Sequence, residues 1–542
     1  MNTFGSRRPR FIGGLLVTAL LAASCAWQGE GKGAGGTAAP DGPRNEYKIG
    51  MIGREGGDGG GPVKGGTLTM SAYSEEGLLD PADAIVAGST GGIELAAVYD
   101  VLMRYDTASG RLEPQLAKDL KVSEDGRSWT LTLRDGVTFS DGKPLDAQAV
   151  KWSIDRYVKN GGDEAALWKA NVTATETPDD GTVVFRLAKK WPTFGYVLAG
   201  GAGMIVARSA EKGGKFTPVG AGAFTFGSYK PQEETVLEAR EDYWDGRPNL
   251  DRVRVVYVND PNAALDALKS RRTQAAFFRD PVITQEALDG GFHGFYNLVA
   301  LGNVGVINSA PGRPGADARV RRAMFHAIKP EVIYQRAYPG TTSLASNEIF
   351  PRFSTWHTGT PPLAYDPEKA RRLLKEAKAG GYDGKVSWLD GQDPASRTTA
   401  LAVKAMLENV GFDVELDLVR SIADQTAKVA VRKSYDIAGW GMSWREAGPF
   451  GRMYATLHTK GNARFGMPAS PEMSGLIEEL QSAETPEAER AVMGRIQRRW
   501  NEDVPALVFG PQPELLAWQK EVRGVIGTVN AMVLLDDAWI AR

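Results

Sequence analysis

The sequence predicts a mixed α/β protein built from more than one lobe, and three observations carry that reading. The chain has 542 residues, three to four times the length of a domain of about 150. Between 123 and 145, the turn dipeptides Asp125-Gly126 and Asp141-Gly142 bracket a run in which Trp129, Leu131 and Leu133 alternate with Ser128, Thr130, Thr132 and Arg134. That is the pattern of hairpin strands with one buried face. Pro144 stops the last of these strands, and Asp146 stands where it would cap a helix in which Val150, Ile154 and Tyr157 recur at helical spacing.

The N-terminus carries an address. Arg7, Arg8 and Arg10 precede an apolar run over 11–23, and Ala22, Ala23 and Ser24 lead into Cys25. The run is shorter than the ~20 residues that cross a bilayer, so 1–25 is expected to be a signal peptide ending at Cys25. Cys25 is the only cysteine, which excludes an internal disulfide. Residues 26–64 are Gly-rich and aperiodic, as a flexible tether would be. Lys and Arg total 64 against 66 acidic residues, which gives no electrostatic case for nucleic acid or a polybasic membrane patch. The expected partner is a small molecule or another protein.

The folded body is expected from about residue 65. An alternating strand ends at Tyr73 and Ser74, followed by a helix over 95–102, a second strand pair including 182–187, and a short helix over 194–198. The glycines at 200, 201 and 203 lack the Gly-Lys-Ser/Thr of a phosphate loop. After Asp242-Tyr243-Trp244, residues Val253, Val255 and Tyr257 form another alternating strand, and a strand over 275–279 ends at Phe278 and Arg279. Arg279 is read either as a carboxylate anchor or as a solvated arginine. Downstream, Asp366 and Pro367 open a helix with Ala370, Leu373, Leu374 and Ala377 inward, a strand follows over 410–418, and two helices lead to a strand over 503–509.

These motifs, in this order, resemble the family 5 extracytoplasmic solute-binding proteins, the dipeptide, oligopeptide and nickel binders of ABC importers. The family pattern is Ser-x-Asp-Gly, an aromatic-led strand, Leu-Arg-x-Gly-Val-x-Phe and Asp-Gly-x-Pro. It is matched from Ser123 to Pro144, and Tyr-Trp-x-Gly-x-Pro-x-Leu-Asp is matched from Tyr243 to Asp251. The resemblance implies two lobes around a cleft with an inserted third domain: 65–97 with 219–290 and 510–542 as the first lobe, 98–218 as the insert, and 291–509 as the second lobe. It further implies a monomer outside the cytoplasm, anchored to the membrane through a lipid on Cys25, that captures a peptide or peptide-like solute and delivers it to ABC permease subunits.

By the same resemblance, Tyr73, Ser74, Phe278 and Arg279 face the cleft. The segment 439–449 matches a family stretch whose first aspartate meets a peptide's ammonium. Here Ser443 occupies that position and supplies no charge, while Glu446 lies three residues on. Trp440 and Trp444 are expected on one side of an extended segment, as a clamp or as core. Two other readings share the scaffold: a sensory receptor, and a binder of an opine, oligosaccharide or metal chelate. An enzyme is not expected. The four histidines, at 293, 326, 357 and 458, form no His-Glu-x-x-His, and Arg445 breaks Gly-x-Ser-x-Gly at Ser443. No metal site, catalytic group or cofactor is therefore expected.

Overall fold

The computed structural model describes residues 49–53, 61–258 and 260–542. The signal peptide, Cys25 and most of the Gly-rich tether lie outside the described residues.

The described chain is organised on a mixed sheet of eleven strands. They are β1 (Gly50–Ile52), β2 (Thr67–Ala72), β3 (Phe224–Lys230), β4 (Glu234–Ala239), β5 (Arg252–Tyr257), β6 (Ala275–Phe278), β7 (His293–Ile307), β8 (Lys385–Gly391), β9 (Asp413–Val419), β10 (Ile437–Trp440) and β11 (Ala506–Trp518). Their order across the sheet is β3-β4-β5-β2-β6-β11-β7-β10-β8-β9, with β1 against β7. The parallel pairs β5 with β2 and β8 with β9 lie in the two halves.

Two long antiparallel strands join those halves. The pairing of β7 with β11 runs from His293 opposite Trp518 to Val306 opposite Ala506, broken by a register shift between Val299 and Asn303. One end of β11 pairs with β6, and the far end of β7 pairs with β10. The strand expected to end at Phe509 thus continues to Trp518, and the expected boundary at 509/510 falls inside it. Pro511 and Pro513 stand inside this strand. They are accommodated because β6 reaches only residues 515–518, so each missing N–H falls where β11 has β7 as its one pairing neighbour. At the register shift, a Cβ on Gly302 would lie 2.1 Å from the Gln512 Cβ, so glycine permits the two backbones to approach.

The hairpin signature folds as expected. Ser128–Leu133 lies between Ala117–Val122 and Thr182–Leu187 in a four-stranded antiparallel sheet. Trp129, Leu131 and Leu133 are buried against Val183 and Phe185, and Gly126 and Gly142 take the positive φ their turns need. Asp146 accepts from Ala149 N and caps Ala147–Asn160. The Tyr243-Trp244 motif has a specific partner: the Tyr243 hydroxyl (2.7 Å) and Trp244 Nε1 (3.2 Å) both donate to Asp100 Oδ2, a buried carboxylate that also accepts from Gln115 Nε2. Two aromatic donors on one buried acceptor explain why these residue types stand together there.

Candidate functional site

Strand ends and one loop build the site. Tyr73 and Ser74 follow β2, Arg279 follows β6, Glu514 sits within β11, and the loop after β10 carries residues 441–449. Glu514 has no solvent exposure. Arg445 Nη1 donates to its Oε2, and Ser89 Oγ donates to its Oε1 at 3.4 Å. Arg279 Nε lies 3.3 Å from the same Oε1, close enough for an ion pair but without hydrogen-bond geometry. Two guanidiniums thus share one buried carboxylate, which leaves the cluster with one positive charge in excess. Such an excess in a poorly solvated place favours an anionic group brought by a ligand.

The expected cleft residues divide into two sets. Arg279 lies under Tyr73, its Cζ 5.4 Å from the centre of a ring that is 42% exposed. Ser74 Oγ donates to Ser89 O at 2.7 Å, so Tyr73, Ser74 and Arg279 gather around Glu514. Phe278 belongs to the other set. It is fully buried at the end of β6, packed with Leu515 behind the sheet, because successive strand residues point to opposite faces.

The loop after β10 corrects the expected tryptophan clamp. Trp440 is half-buried, its ring edge-on to Phe465 at 5.7 Å. Trp444 has no exposure and packs on Trp500 (5.7 Å, 83°) and Phe350 (5.6 Å) in the core. The turn between them breaks the extended spacing that would have aligned them. Ser443 adopts φ 52°, and Met442 N and Ser443 N both donate to the carbonyl of Leu301, itself at φ 52°. The Glu446 carboxylate faces 354–356, where its Oε2 accepts from Thr355 N and Oγ1, both at 3.1 Å, so it is spent on holding that loop.

Sequence reasoning missed three groups. Glu514 lies beyond Phe509, where the strand was expected to end; only the observed run to Trp518 makes it the single charged residue of a buried strand, a position that demands partners. Arg445 reads in sequence only as a break in a hydrolase motif. Glu164 carried no signal in sequence; it lines a cavity of about 70 Å³ with Trp191, Tyr196, Arg445, Phe450 and Asn530. Among the described residues no cluster of three or more His, Cys, Asp or Glu could hold a metal ion, and no helix is long and apolar enough to cross a membrane.

Comparisons with known proteins bear on the family and the fold. The chain is 28% identical over 381 residues to a putative ABC transporter peptide-binding protein of Brucella ovis, covering 65% of this chain and 70% of that protein. It is 32% identical over 352 residues to the glutathione-binding protein GsiB of Salmonella typhimurium, covering 61% and 67%. Among solved structures, the oligopeptide-binding protein AppA of Bacillus subtilis, in complex with a nonapeptide, superposes with a TM-score of 0.76 at 20% identity, covering 89% of this chain and all of that one. NikA of Brucella suis, in complex with Fe(III)-EDTA, does so with a TM-score of 0.69 at 22% identity, covering 88% and 100%. The fold is therefore shared with proteins solved around different ligands. Residues 111–464 match the family described as bacterial extracellular solute-binding proteins, family 5 middle, and the chain belongs to that family.

Proposed function

We propose that the protein is the solute-capturing component of an ABC importer, a lipoprotein held outside the cell membrane by Cys25, and that it takes a peptide or peptide-like solute between its lobes. The observation that carries the reading is the sharing of buried Glu514 between Arg279, at the end of β6, and Arg445, in the loop after β10. Charged groups from both halves of the sheet meet on one strand, with a net positive charge suited to a carboxylate and with Tyr73 as an exposed aromatic wall. The relatives named as peptide-binding and glutathione-binding support a peptide-like solute. A solute touching both halves would select the closed form, and the permease would read that form.

A thermal-shift screen of the body from Lys64 onward tests the reading, with separate pools of peptides, oligosaccharides and metal chelates. A solute at a hundred times its dissociation constant adds about 2.7 kcal/mol to the native state, a rise of a few degrees. Stabilisation by peptides is expected; stabilisation by another pool alone would overturn the peptide assignment. For the anchor, Cys25→Ser is expected to release the protein from membranes, and its retention there would refute lipidation.

A further inference from the structure

The cavity beside Arg445 has a composition that the carboxylate-binding cluster does not explain. Its walls come from three places: Glu164, Trp191 and Tyr196 from one segment, Arg445 and Phe450 from another, and Asn530 from a third. Trp191 and Phe450 meet edge to face at 5.3 Å, and Thr193 Oγ1 accepts from Trp191 Nε1, so these aromatic walls are fixed. At about 70 Å³ the cavity is far smaller than the roughly 300–1,000 Å³ that encloses a whole ligand, and it suits one terminal group.

The charges sort themselves. Arg445 is engaged with Glu514, and Asp163 accepts from Arg452 Nη1 at 2.8 Å. Glu164 receives only neutral donors, the Tyr157 hydroxyl at 3.3 Å and the Ala202 backbone. Among the described residues Glu164 makes no ion pair of its own, although Arg452 lies near enough to lower it and Arg445 lines the same cavity, and a carboxyl so placed beside aromatic rings is what a small cation requires.

We propose that this cavity is a subsite for a primary ammonium group of the captured solute, with the Glu164 carboxyl as its counter-charge and the rings of Trp191, Tyr196 and Phe450 as its walls. The assignment rests on the solute-capture reading above. It gives the site a negative group that neither Ser443 nor the anchored Glu446 supplies, and together with the Arg279 and Arg445 cluster it complements a zwitterion.

A proton accompanies the cation. Burial, then the charge of Asp163, push the Glu164 carboxyl up to about 8, against the lowering effects of Tyr157, Ala202 and Arg452. The empty site therefore holds a proton at pH 7, and an arriving ammonium displaces it to solvent. Proton release on binding follows, and a glutamate whose surroundings binding leaves unchanged would not produce it.

The test uses the full-length protein and a defined mixture: tripeptides Ala-X-Ala, their N-acetylated counterparts, and non-peptide solutes with and without a primary amine. Solutes retained through gel filtration are identified by mass. The wild type is expected to retain solutes bearing a primary ammonium, and Glu164→Gln to lose about 10- to 100-fold in affinity for them while keeping the fold, with Glu164→Asp intermediate. Calorimetry of a retained solute at pH 7 in two buffers of different ionisation enthalpy is expected to show close to one proton released by the wild type and almost none by Glu164→Gln. Unchanged affinity or unchanged proton release in Glu164→Gln overturns the subsite. Retention of ammonium-free solutes alone overturns it while sparing solute capture, retention of non-peptide amines alone sinks the peptide assignment while sparing the subsite, and retention of nothing overturns both.

Discussion

Arg445, only 12% exposed in its side chain, donates to a Glu514 carboxylate that has no exposure at all. Because Arg279 approaches the other oxygen, removing the carboxylate would leave two cations facing each other with little water between them. Breaking a buried pair by deleting one partner costs on the order of 3–5 kcal/mol, far more than the pair itself contributes over an apolar substitute. Glu514→Ala is accordingly expected to lose about 3 kcal/mol or more in urea unfolding, and Arg279→Ala clearly less, since Arg279 makes no hydrogen bond to the carboxylate. Equal losses for the two variants would refute the asymmetry.

Trp440 and Trp444 are expected to separate cleanly. Trp444 fills core space between Trp500 and Phe350, so Trp444→Ala should cost about 3–5 kcal/mol of stability. Trp440 is half-buried at a strand end, so Trp440→Ala should cost less than half as much and should weaken solute binding more than it weakens the fold. Denaturant midpoints and affinities of the two single variants decide it. A stable Trp444→Ala protein with impaired binding would restore the clamp.

The difference between those tryptophans marks what the sequence could carry. Period-two alternation placed Trp129, Leu131 and Leu133 inward because neighbouring strand residues supply the whole signal locally. Asp146 and Asp366 were legible as caps for the same reason: Asp146 bonds Ala149 N and Asp366 bonds Lys369 N, each three residues away. The turn at Ser443 was not legible, because its positive φ depends on Leu301, whose carbonyl comes from a strand 142 residues earlier. Glu514 and Arg445 meet across 69 residues, and Arg452 meets Asp163 across 289. Pairings of that kind carry no local pattern, so the candidate positions at strand ends, Tyr73, Ser74 and Arg279, were legible as a group, while the loop-to-strand ion pairs beside them were not.

The segments around Asn171 and Lys189 meet the helix Pro471–Gln481 and the residues just after it through two kinds of contact of unequal strength. Lys189 pairs with Glu478 at 2.5 Å and Lys190 with Glu484 at 2.7 Å, but these side chains are a third to three-fifths exposed, and such pairs contribute about 0–1 kcal/mol each. Between them, Gln481 Nε2 donates to Asn171 Oδ1 at 2.8 Å with both residues buried. Leaving one of those amides unpaired costs about 1–3 kcal/mol. Gln481→Ala is therefore expected to destabilise more than Lys189→Glu combined with Lys190→Glu, and only the charge-reversed protein should respond to salt or recover with Glu478→Lys and Glu484→Lys. Denaturant midpoints at low and high salt would contradict this if the order were reversed.

Stability is expected to fall between pH 5 and pH 8, and Asp100 supplies one identifiable share. Burial, reinforced by the charge of Asp536, pushes its carboxyl from the ordinary 3.8 up to about 7, despite bonds from Tyr243, Val101 and Trp244. An acid whose pKa is raised on folding binds its proton more tightly in the native state. Its stabilising effect is therefore complete below pH 3.8 and is lost as pH rises toward 7. At 1.36 kcal/mol per unit, the part lost between pH 5 and pH 7 is about 3 kcal/mol, an upper figure because Gln115 and the ring donors relax around the charge. Burial also raises Glu94 and Asp390 to about 7, so the wild type loses more than Asp100 alone accounts for. Asp100→Asn keeps an acceptor for Tyr243 and removes the titration. Urea unfolding of both proteins at pH 5 and pH 8 is expected to show the wild type losing stability more steeply, by about 2–3 kcal/mol over that interval, and parallel losses would show that Asp100 keeps an ordinary pKa in the folded protein.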